Sequence, residues 1–394
     1  MRRAVAIVDG DHTVAVMRHA LASLPYDVVA VWLAGGAEKL RAGDDFGVPT
    51  VDELADAFAR VELVVDLSDE PVLDPRTRFG LVARTLAAGL SYVGSDFRFD
   101  PPQLEPFSAP SIGVIGTGKR VGKTAVSAHV ARTFARDRDV IVVTMGRGGP
   151  SEPELVERPP TIDFLLALSR EGRHAASDHL EIAAAAGIPT IGCRRAGGGL
   201  VGAVTSSNVL EGAALAASRA PDLTVFDGSG GALPPVAVDR RILVVGDGHD
   251  ATVGLNAYRV LVSDLVVAVG AVDHGAIRDV KDVPIVRAEL RLRPLAPLEG
   301  RRAAVFTTGA APTEHLDADV VAVSRNLGDR ARLRADLERV EADVYVVELK
   351  AAAIDVVAET AAERGVELVL ATNDVVSPEL DEELAELVAE ETYA

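Results

Sequence analysis

The sequence predicts an α/β protein built on parallel sheets, and three observations support this fold class. Short aliphatic runs alternate with helical patterns along the 394 residues. Hydrophobic residues make up 48% of the chain but aromatic residues only 4%, so the core must be aliphatic, as in buried strands and their covering helices. Most runs end in Gly- or Asp-rich loops, which is typical of doubly wound sheets. The length predicts two or three domains.

Residues 1–99 show this alternation first. The apolar run 4–8 ends in Asp9-Gly10-Asp11-His12, a helical stretch follows at 13–24, and the runs 28–33 and 63–65 also end in polar loops. The first loop lacks the spaced glycines of a dinucleotide site. We therefore predict an N-terminal Rossmann-like α/β domain over 1–105 that is not a dehydrogenase, with His12 as a candidate substrate contact.

Four prolines between residues 100 and 110 indicate an interdomain linker, because proline removes backbone donors and disfavours helix. A second α/β domain is predicted over 111–300, with strands at 112–115, 140–144, 190–192, 224–226, 242–245 and 265–269. The same rhythm gives strands at 303–306, 320–323, 344–347 and 368–370. This section, 301–394, is either a third domain or an extension of the second sheet.

The strongest motif is Gly116-Thr117-Gly118-Lys119-Arg120-Val121-Gly122-Lys123-Thr124, between a predicted strand and a helix at 125–135. This is the setting of a Walker A phosphate loop, in which glycines let backbone N–H groups converge on phosphate oxygens beside a helix N-terminus. Lys123 would reach the β- and γ-phosphates of ATP, and the Thr124 hydroxyl would bind Mg²⁺. The motif therefore predicts a P-loop NTPase-type parallel sheet and ATP as the cofactor.

Thr117 stands where the Walker spacing usually has its first glycine, with glycines on both sides, as in dethiobiotin synthetase and its relatives. The alternative for the whole motif is a Gly-rich turn that binds nothing. Lys119 and Arg120 are either solvated loop residues or additional phosphate contacts, and we favour phosphate contacts.

A second part of the predicted site is Asp227, at the end of the apolar run 224–226 and before Gly228-Ser229-Gly230. A carboxylate there resembles a Walker B acid and would hold Mg²⁺ directly or through water. The alternative is an ordinary turn, since Asp-Gly often follows a strand. The phosphate loop in the same sheet favours the magnesium interpretation.

Further loops place Arg, His or Lys beside glycines or helix starts, where a guanidinium fork and a close backbone suit phosphate groups. Since several follow consecutive strands of one sheet, we expect them to face the phosphate loop. Ordinary turns, structural histidines and helix-end charge are the alternatives. The candidate substrate residues in these loops are Arg147, which is also a candidate catalytic residue, and His174, His179, Arg194, Arg195 and Lys350.

Composition excludes several classes of partner. The formal net charge of −19 argues against non-specific binding to nucleic acid or to an anionic membrane. Cys193 is the single cysteine, so no internal disulfide is possible, and the apolar segments are too short to span a bilayer. We expect a cytoplasmic protein. The sequence does not determine the oligomeric state, for which a homodimer is one option.

These motifs together resemble the cyclic 2,3-diphosphoglycerate synthetase family. The resemblance runs almost end to end and is carried by several strings that are rare in combination: 7–12, 67–71, 116–126, 145–150, 174–179, 193–199, 227–230 and 348–356. The chain departs from the family pattern at Asp227, where we expect Glu, and at Ala196, where we expect Cys. The shorter carboxylate leaves direct or water-mediated contact with Mg²⁺ open.

The resemblance implies an ATP-dependent ligase that closes the two phosphates of 2,3-diphosphoglycerate into an internal anhydride, with ADP and phosphate released. Both steps of such a reaction bring anions together, which requires concentrated positive charge and exclusion of water. Two alternatives stay open: a P-loop kinase or ligase for another small acid, and a nucleotide switch without a small substrate. For the switch, 324–326 and 371–374 are only loose guanine-specificity candidates.

Overall fold

The computed structural model describes residues 1–36, 39–41, 44–171, 177–309, 312–349 and 353–389. The chain divides into two compact units. The first contains Met1–Gln103, Asp250–Val262 and Gly275–Asp282, and the second contains Leu104–His249, Ser263–His274 and Val283–Ala394. The domain boundaries inferred from the sequence stay predictions.

The first unit is built on a six-stranded sheet in the order β3-β2-β1-β4-β5-β6. All neighbours are parallel except β5 and β6. The chain leaves β1 on one side and later returns to its other side as β4, so the carboxyl ends of β1 and β4 form the switch point. In chain order the elements are β1 (Arg3–Val8), α1 (Val14–Ser23), β2 (Asp27–Leu33), β3 (Thr50–Val51), a 3-10 helix (Leu54–Arg60), β4 (Leu63–Asp66), α2 (Pro75–Ala87), β5 (Ser91–Val93) and β6 (Arg98–Phe99).

The second unit contains a long sheet and a short ladder of β7 (Glu105–Pro106) with β14 (Val236–Ala237). The strands of the long sheet are β8 (Ser111–Gly116), β9 (Val140–Gly146), β10 (Glu154–Val156), β11 (Thr190–Ala196), β12 (Ser206–Ser207), β13 (Leu223–Asp227), β15 (Arg240–Gly246), β16 (Leu265–Val269), β17 (Ile285–Pro294), β18 (Arg302–Phe306), β19 (Asp319–Ser324), β20 (Val344–Glu348) and β21 (Glu367–Val376).

Helices cover this sheet. They are α3 (Lys123–Phe134), α4 (Ile162–Arg170), α5 (Asp178–Ala186), α6 (Val209–Ser218), α9 (Arg330–Leu337), α10 (Ile354–Arg364) and α11 (Leu380–Ala389). Two further helices, α7 (Asn256–Leu261) and most of α8 (His274–Val280), belong to the first unit. Among the described helices, none combines the length and the apolarity that a bilayer crossing requires.

The order of the long sheet explains where a ligand can lie. It runs β10-β11-β9-β13-β8-β15-β16-β17-β21-β20-β18-β19, with β12 beside β11. β8 therefore has β13 on one side and β15 on the other, both parallel to it. All six residues of β8 are buried, as expected for a strand covered on both faces. The loops after β8, β13, β9 and β11 consequently emerge at one edge.

The predicted α/β class with a P-loop sheet is confirmed. Strands β18 to β21 continue the same sheet through the antiparallel pair β17–β21. Aliphatic side chains of α3, such as Val126 and Val130, pack with the central strands and with Leu380 and Leu384 of α11. A second core, containing Phe306 and Tyr345, lies under β18 and β20.

Candidate active site around the phosphate loop

The segment 116–124 turns tightly between β8 and α3. Gly122 has a φ of 92° and Arg120 a φ of 62°, and Thr117 N–H donates to the Val244 carbonyl over 3.2 Å. A Cβ placed on Gly116 would lie 2.9 Å from Cγ2 of Val121. No side chain caps the start of α3, and its first turn carries no acid. The first-turn N–H groups are therefore available to an anion.

Lys123 and Asp227 form a buried ion pair beneath this loop. The Lys123 Nζ lies 2.6 Å from Oδ1 of Asp227, and the Ser127 hydroxyl donates to the same oxygen. Burial raises the pKa of Asp227, whereas the charge of Lys123 opposes this rise. The other carboxylate oxygen, Oδ2, is buried and has no hydrogen-bond partner in the described structure. Asp227 therefore offers one unused acceptor inside the site.

A cavity of about 340 Å³ opens above the pair. Its walls are the phosphate loop from Gly118 to Thr124, the loop after β9, the start of α5 and the turn after β13. The side chains and glycines that line it include Lys123, Thr124, Gly146, Arg147, Asp178, His179, Glu181, Ser229 and Gly230. One cavity therefore combines the phosphate loop with residues from three other elements.

Two guanidinium groups and the aliphatic part of the Lys119 side chain approach the turn Ser229–Gly230. Arg195 donates from Nη2 to the Ser229 carbonyl over 2.9 Å. A Cβ placed on Gly230 would lie 2.9 Å from Nη2 of Arg147 and 3.7 Å from Cγ of Lys119. Burial lowers the pKa of Arg195, and the nearby charge of Arg147 lowers it further. Like charges held this close suit a polyanionic ligand.

The start of α5 supplies the polar wall opposite the phosphate loop. His179 is 5% exposed, and its Nδ1 lies 3.1 Å from the Ser177 hydroxyl. A Cβ placed on Gly192 would lie 2.5 Å from Cγ of this histidine, so β11 needs glycine there. Neighbouring Asp178 and Glu181 also line the cavity. The charge of Asp178 contributes, after burial, to the raised pKa of Asp227.

Two further sequence candidates, Arg194 and His12, do not line this cavity. Arg194 is exposed and does not line the cavity; its backbone is held by the Asn208 side chain. His12 belongs to the first unit, where its Nδ1 lies 2.6 Å from Oδ1 of the fully buried Asp9. His174 and Lys350 lie outside the described residues. Buried Cys193 has its pKa raised to about 12 by burial, which disfavours a thiolate role.

Four residues near the site were missed by the sequence reasoning: Ser127, Asp178, Glu181 and His249. Ser127 follows Thr124 by one helical turn, and Asp178 and Glu181 flank His179 with the spacing of one helix face. Those spacings could have identified the first three. His249 lies in a loop far along the chain, and no local pattern predicted its position beside the phosphate loop.

The parallel sheet, the loop at its centre and the buried Lys–Asp pair define a P-loop nucleotide-binding protein. Three family models match the chain: the P-loop domain of cyclic 2,3-diphosphoglycerate synthetase over residues 111–288, its N-terminal domain over 3–100 and its C-terminal domain over 294–374. The chain belongs to the cyclic 2,3-diphosphoglycerate synthetase family, which confirms the resemblance identified from the motifs.

Relatives match over nearly their whole length. A protein from Rubrobacter xylanophilus named cyclic 2,3-diphosphoglycerate synthetase is 44% identical over 98% of this chain and 97% of its own. One of the same name from Thermococcus kodakarensis is 41% identical over 95% and 94%, respectively. Among solved structures, Aquifex aeolicus LpxK in complex with ATP aligns with a TM-score of 0.43 and 13% identity, covering 73% of this chain and 90% of that one.

Proposed function

We propose that this chain is an ATP-dependent ligase that forms the intramolecular phosphoanhydride of 2,3-diphosphoglycerate. The observation that carries the proposal is the single cavity that joins the phosphate loop to the cations around Ser229–Gly230. A nucleoside triphosphate and a second phosphorylated anion can bind side by side in this cavity. The name carried by relatives at 41–44% identity supports 2,3-diphosphoglycerate as that second anion.

The proposed reaction has two phosphoryl-transfer steps. First, an oxygen of one substrate phosphate attacks the γ-phosphorus of ATP, the bond from that phosphorus to the bridging oxygen breaks, and ADP leaves. Second, an oxygen of the other substrate phosphate attacks the substrate phosphorus that now carries the γ-phosphoryl group. Inorganic phosphate leaves and the cyclic anhydride forms. The sum is ATP plus 2,3-diphosphoglycerate giving the cyclic product, ADP and phosphate.

The proposed role of each side chain follows from its position around the cavity. Lys123 and the N–H groups at the start of α3 would hold the β- and γ-phosphates, and Gly116, Thr117, Gly118, Lys119, Arg120 and Gly122 complete the phosphate loop. Arg147, Arg195 and His179 would hold the second anion, because their elements border the same cavity or its Ser229–Gly230 turn. These charges stabilise the transition state only where water is excluded.

Magnesium fits the residues present. Thr124 lines the cavity, and the unpartnered Oδ2 of Asp227 lies beside the same ion pair. Among the described residues, no group of three or more His, Cys, Asp or Glu side chains could hold a metal ion. Mg²⁺ does not require such a group, because it keeps several waters and shares substrate phosphates. Bound there, it would neutralise charge on the transferred phosphoryl group.

Product analysis tests the proposal directly. We expect ³¹P NMR of a mixture of protein, ATP, Mg²⁺ and 2,3-diphosphoglycerate to reveal a cyclic phosphoanhydride, with ADP and phosphate formed in equal amounts. ADP formation with a linear phosphorylated product would favour the kinase alternative. Nucleotide binding without any dependence on 2,3-diphosphoglycerate would favour the switch. Either result would overturn the ligase proposal.

A further inference from the structure

The loop Asp247-Gly248-His249, which follows β15, lies beside the phosphate loop. The parallel register pairs Val244 of β15 with Gly116 of β8, so the two strands deliver their loops to the same edge of the sheet. A Cβ placed on Gly246 would lie 2.7 Å from Cα of Val121. The end of β15 therefore packs directly against the phosphate loop, and the next residues stand at its rim.

His249 lies against Gly118 of the phosphate loop. A Cβ placed on Gly118 would lie 2.7 Å from Cε1 and 3.1 Å from Nδ1 of the imidazole. The ring is partly exposed, and within the described ranges its nitrogens have no protein hydrogen-bond partner. The imidazole thus lies against a phosphate-loop residue and keeps its polar atoms available.

The two sides of β8 differ in chemistry. On the β13 side, the turn Ser229–Gly230 is surrounded by Arg147, Arg195 and Lys119, which suits a second anion. On the β15 side, the neighbouring groups are the imidazole of His249 and the exposed carboxylate of Asp247, whose Cβ packs against Gly270. An uncharged nucleoside fits the second side, because its base offers a flat face and its ribose offers hydroxyl donors.

We propose that Asp247 and His249 form the nucleoside subsite of the ATP site. His249 packs its ring on the base or ribose, and Asp247 accepts hydrogen bonds from ribose hydroxyls. This assignment rests on the proposed function, since it presumes that the phosphate loop binds ATP. It also gives the orientation of the bound nucleotide. The phosphates lie at the N-terminus of α3, the nucleoside points toward β15, and the second substrate lies on the β13 side.

Titrations with two ligands separate a nucleoside contact from a phosphate contact. The variants are His249→Ala, His249→Gln and Asp247→Asn, and the ligands are MgADP and inorganic tripolyphosphate with Mg²⁺. We expect MgADP to bind about five- to tenfold more weakly to His249→Ala and Asp247→Asn. Tripolyphosphate, which has no nucleoside, should bind each variant within about twofold of the wild-type protein.

An equal loss of affinity for MgADP and for tripolyphosphate would mean that His249 contacts phosphate. Unchanged MgADP binding in both His249→Ala and Asp247→Asn would mean that neither residue contacts the nucleotide. Either result would overturn the assignment. His19→Ala is the matched control, because His19 is an exposed histidine on α1. Circular dichroism and His249→Gln exclude a folding defect. These titrations need no 2,3-diphosphoglycerate, so they remain interpretable even if the product assay fails.

Discussion

At the scale of single residues, the site depends most on the buried pair Lys123–Asp227. Lys123 is 8% exposed and Asp227 is fully buried, so removal of either partner leaves an unpaired polar group in the core. Breaking such a pair costs about 3–5 kcal/mol of unfolding free energy, much more than a surface ion pair. The same lysine would also contact the transferred phosphate, so its replacement has two separable consequences.

Lys123→Met should reduce ATP turnover by about a thousandfold or more, because a transition-state cation is lost. It should also destabilise the fold in a pH-dependent way. Without Lys123, burial and the charge of Asp178 keep the folded pKa of Asp227 above its unfolded value, so stability is greatest at low pH and falls as pH rises through the folded pKa. Urea unfolding across pH 4–9 measures this slope.

Lys123→Met/Asp227→Asn is the control for that prediction. Removing the buried charge should flatten the pH dependence of the unfolding free energy while turnover stays low. A wild-type turnover rate in folded Lys123→Met would contradict the proposed phosphate contact. An unchanged pH slope in the single variant would contradict the role assigned to the buried carboxylate.

Arg147 and Arg195 test the substrate side. Arg147→Ala and Arg195→Ala should each weaken binding of 2,3-diphosphoglycerate by about tenfold or more while MgADP binding stays nearly intact, since each removes a guanidinium fork near Ser229–Gly230. Calorimetric titration with each ligand measures both affinities. Arg219→Ala is the control, because Arg219 pairs with Glu157 on the surface. Unchanged diphosphate binding in both variants would make these arginines structural.

For Arg194, the sequence and the structure lead to different expectations. The sequence pattern predicts that it binds substrate together with Arg195, but alternation along β11 places the two side chains on opposite faces. Arg194 is exposed and lies outside the cavity lining, whereas Arg195 reaches the Ser229 carbonyl. We therefore favour Arg195 over Arg194 as the substrate contact.

At the scale of secondary-structure elements, α11 holds the helix that follows the phosphate loop. Asp381, in the first turn of α11, accepts hydrogen bonds from Arg136 at 2.9 Å and Thr133 at 3.2 Å, and its Oδ1 lies 2.7 Å from Nε2 of His129. Burial raises the pKa of Asp381, but the hydrogen bonds from Arg136 and His129 outweigh it and lower the pKa overall. One carboxylate thus contacts His129 and Thr133 of α3 and Arg136 just beyond the end of that helix.

Asp381→Ala should lower the unfolding free energy by about 1 kcal/mol, a modest value because the carboxylate is partly exposed and screened by solvent. Glu382→Ala is the matched control: the neighbouring acid has the same favourable position at the helix N-terminus but lies on the exposed side. Urea denaturation of both variants measures the difference. Equal losses would show that the helix dipole, and not the contact with α3, explains the effect.

Strand β17 was not predicted from the sequence. Ile285–Pro294 alternates apolar and polar residues, and its burial alternates likewise. Continuous apolar runs in the sequence identify strands that are buried on both faces, such as β8, β13 and β16. β17 alternates between more buried and more exposed residues, so it contains no continuous apolar run.

At the scale of the whole molecule, the charge around the cavity is opposite in sign to the net charge of the chain. The chain carries −19, yet cationic side chains outnumber carboxylates around the described cavity: Lys119, Arg120, Lys123 and Arg147 line it together with Asp178 and Glu181, and Arg195 contacts the carbonyl of Ser229 at its edge. A uniformly acidic surface would repel ATP and 2,3-diphosphoglycerate, so binding requires this local reversal of sign. The reversal is produced by loops that are distant in sequence and adjacent in the sheet.

The sequence by itself determined the α/β class and the family, and it identified the phosphate loop with Lys123 and the carboxylate of Asp227 as candidate parts of the site. These follow from local patterns: aliphatic runs, glycine spacing and the strand–loop–helix order are each contained within about ten to twenty residues. Only the tertiary structure decided that Lys123 and Asp227 form a buried pair, that His249 lies beside the phosphate loop, that Arg194 does not line the cavity, and that 301–394 continues the central sheet. Strand order and side-chain facing depend on long-range packing, which no local pattern encodes.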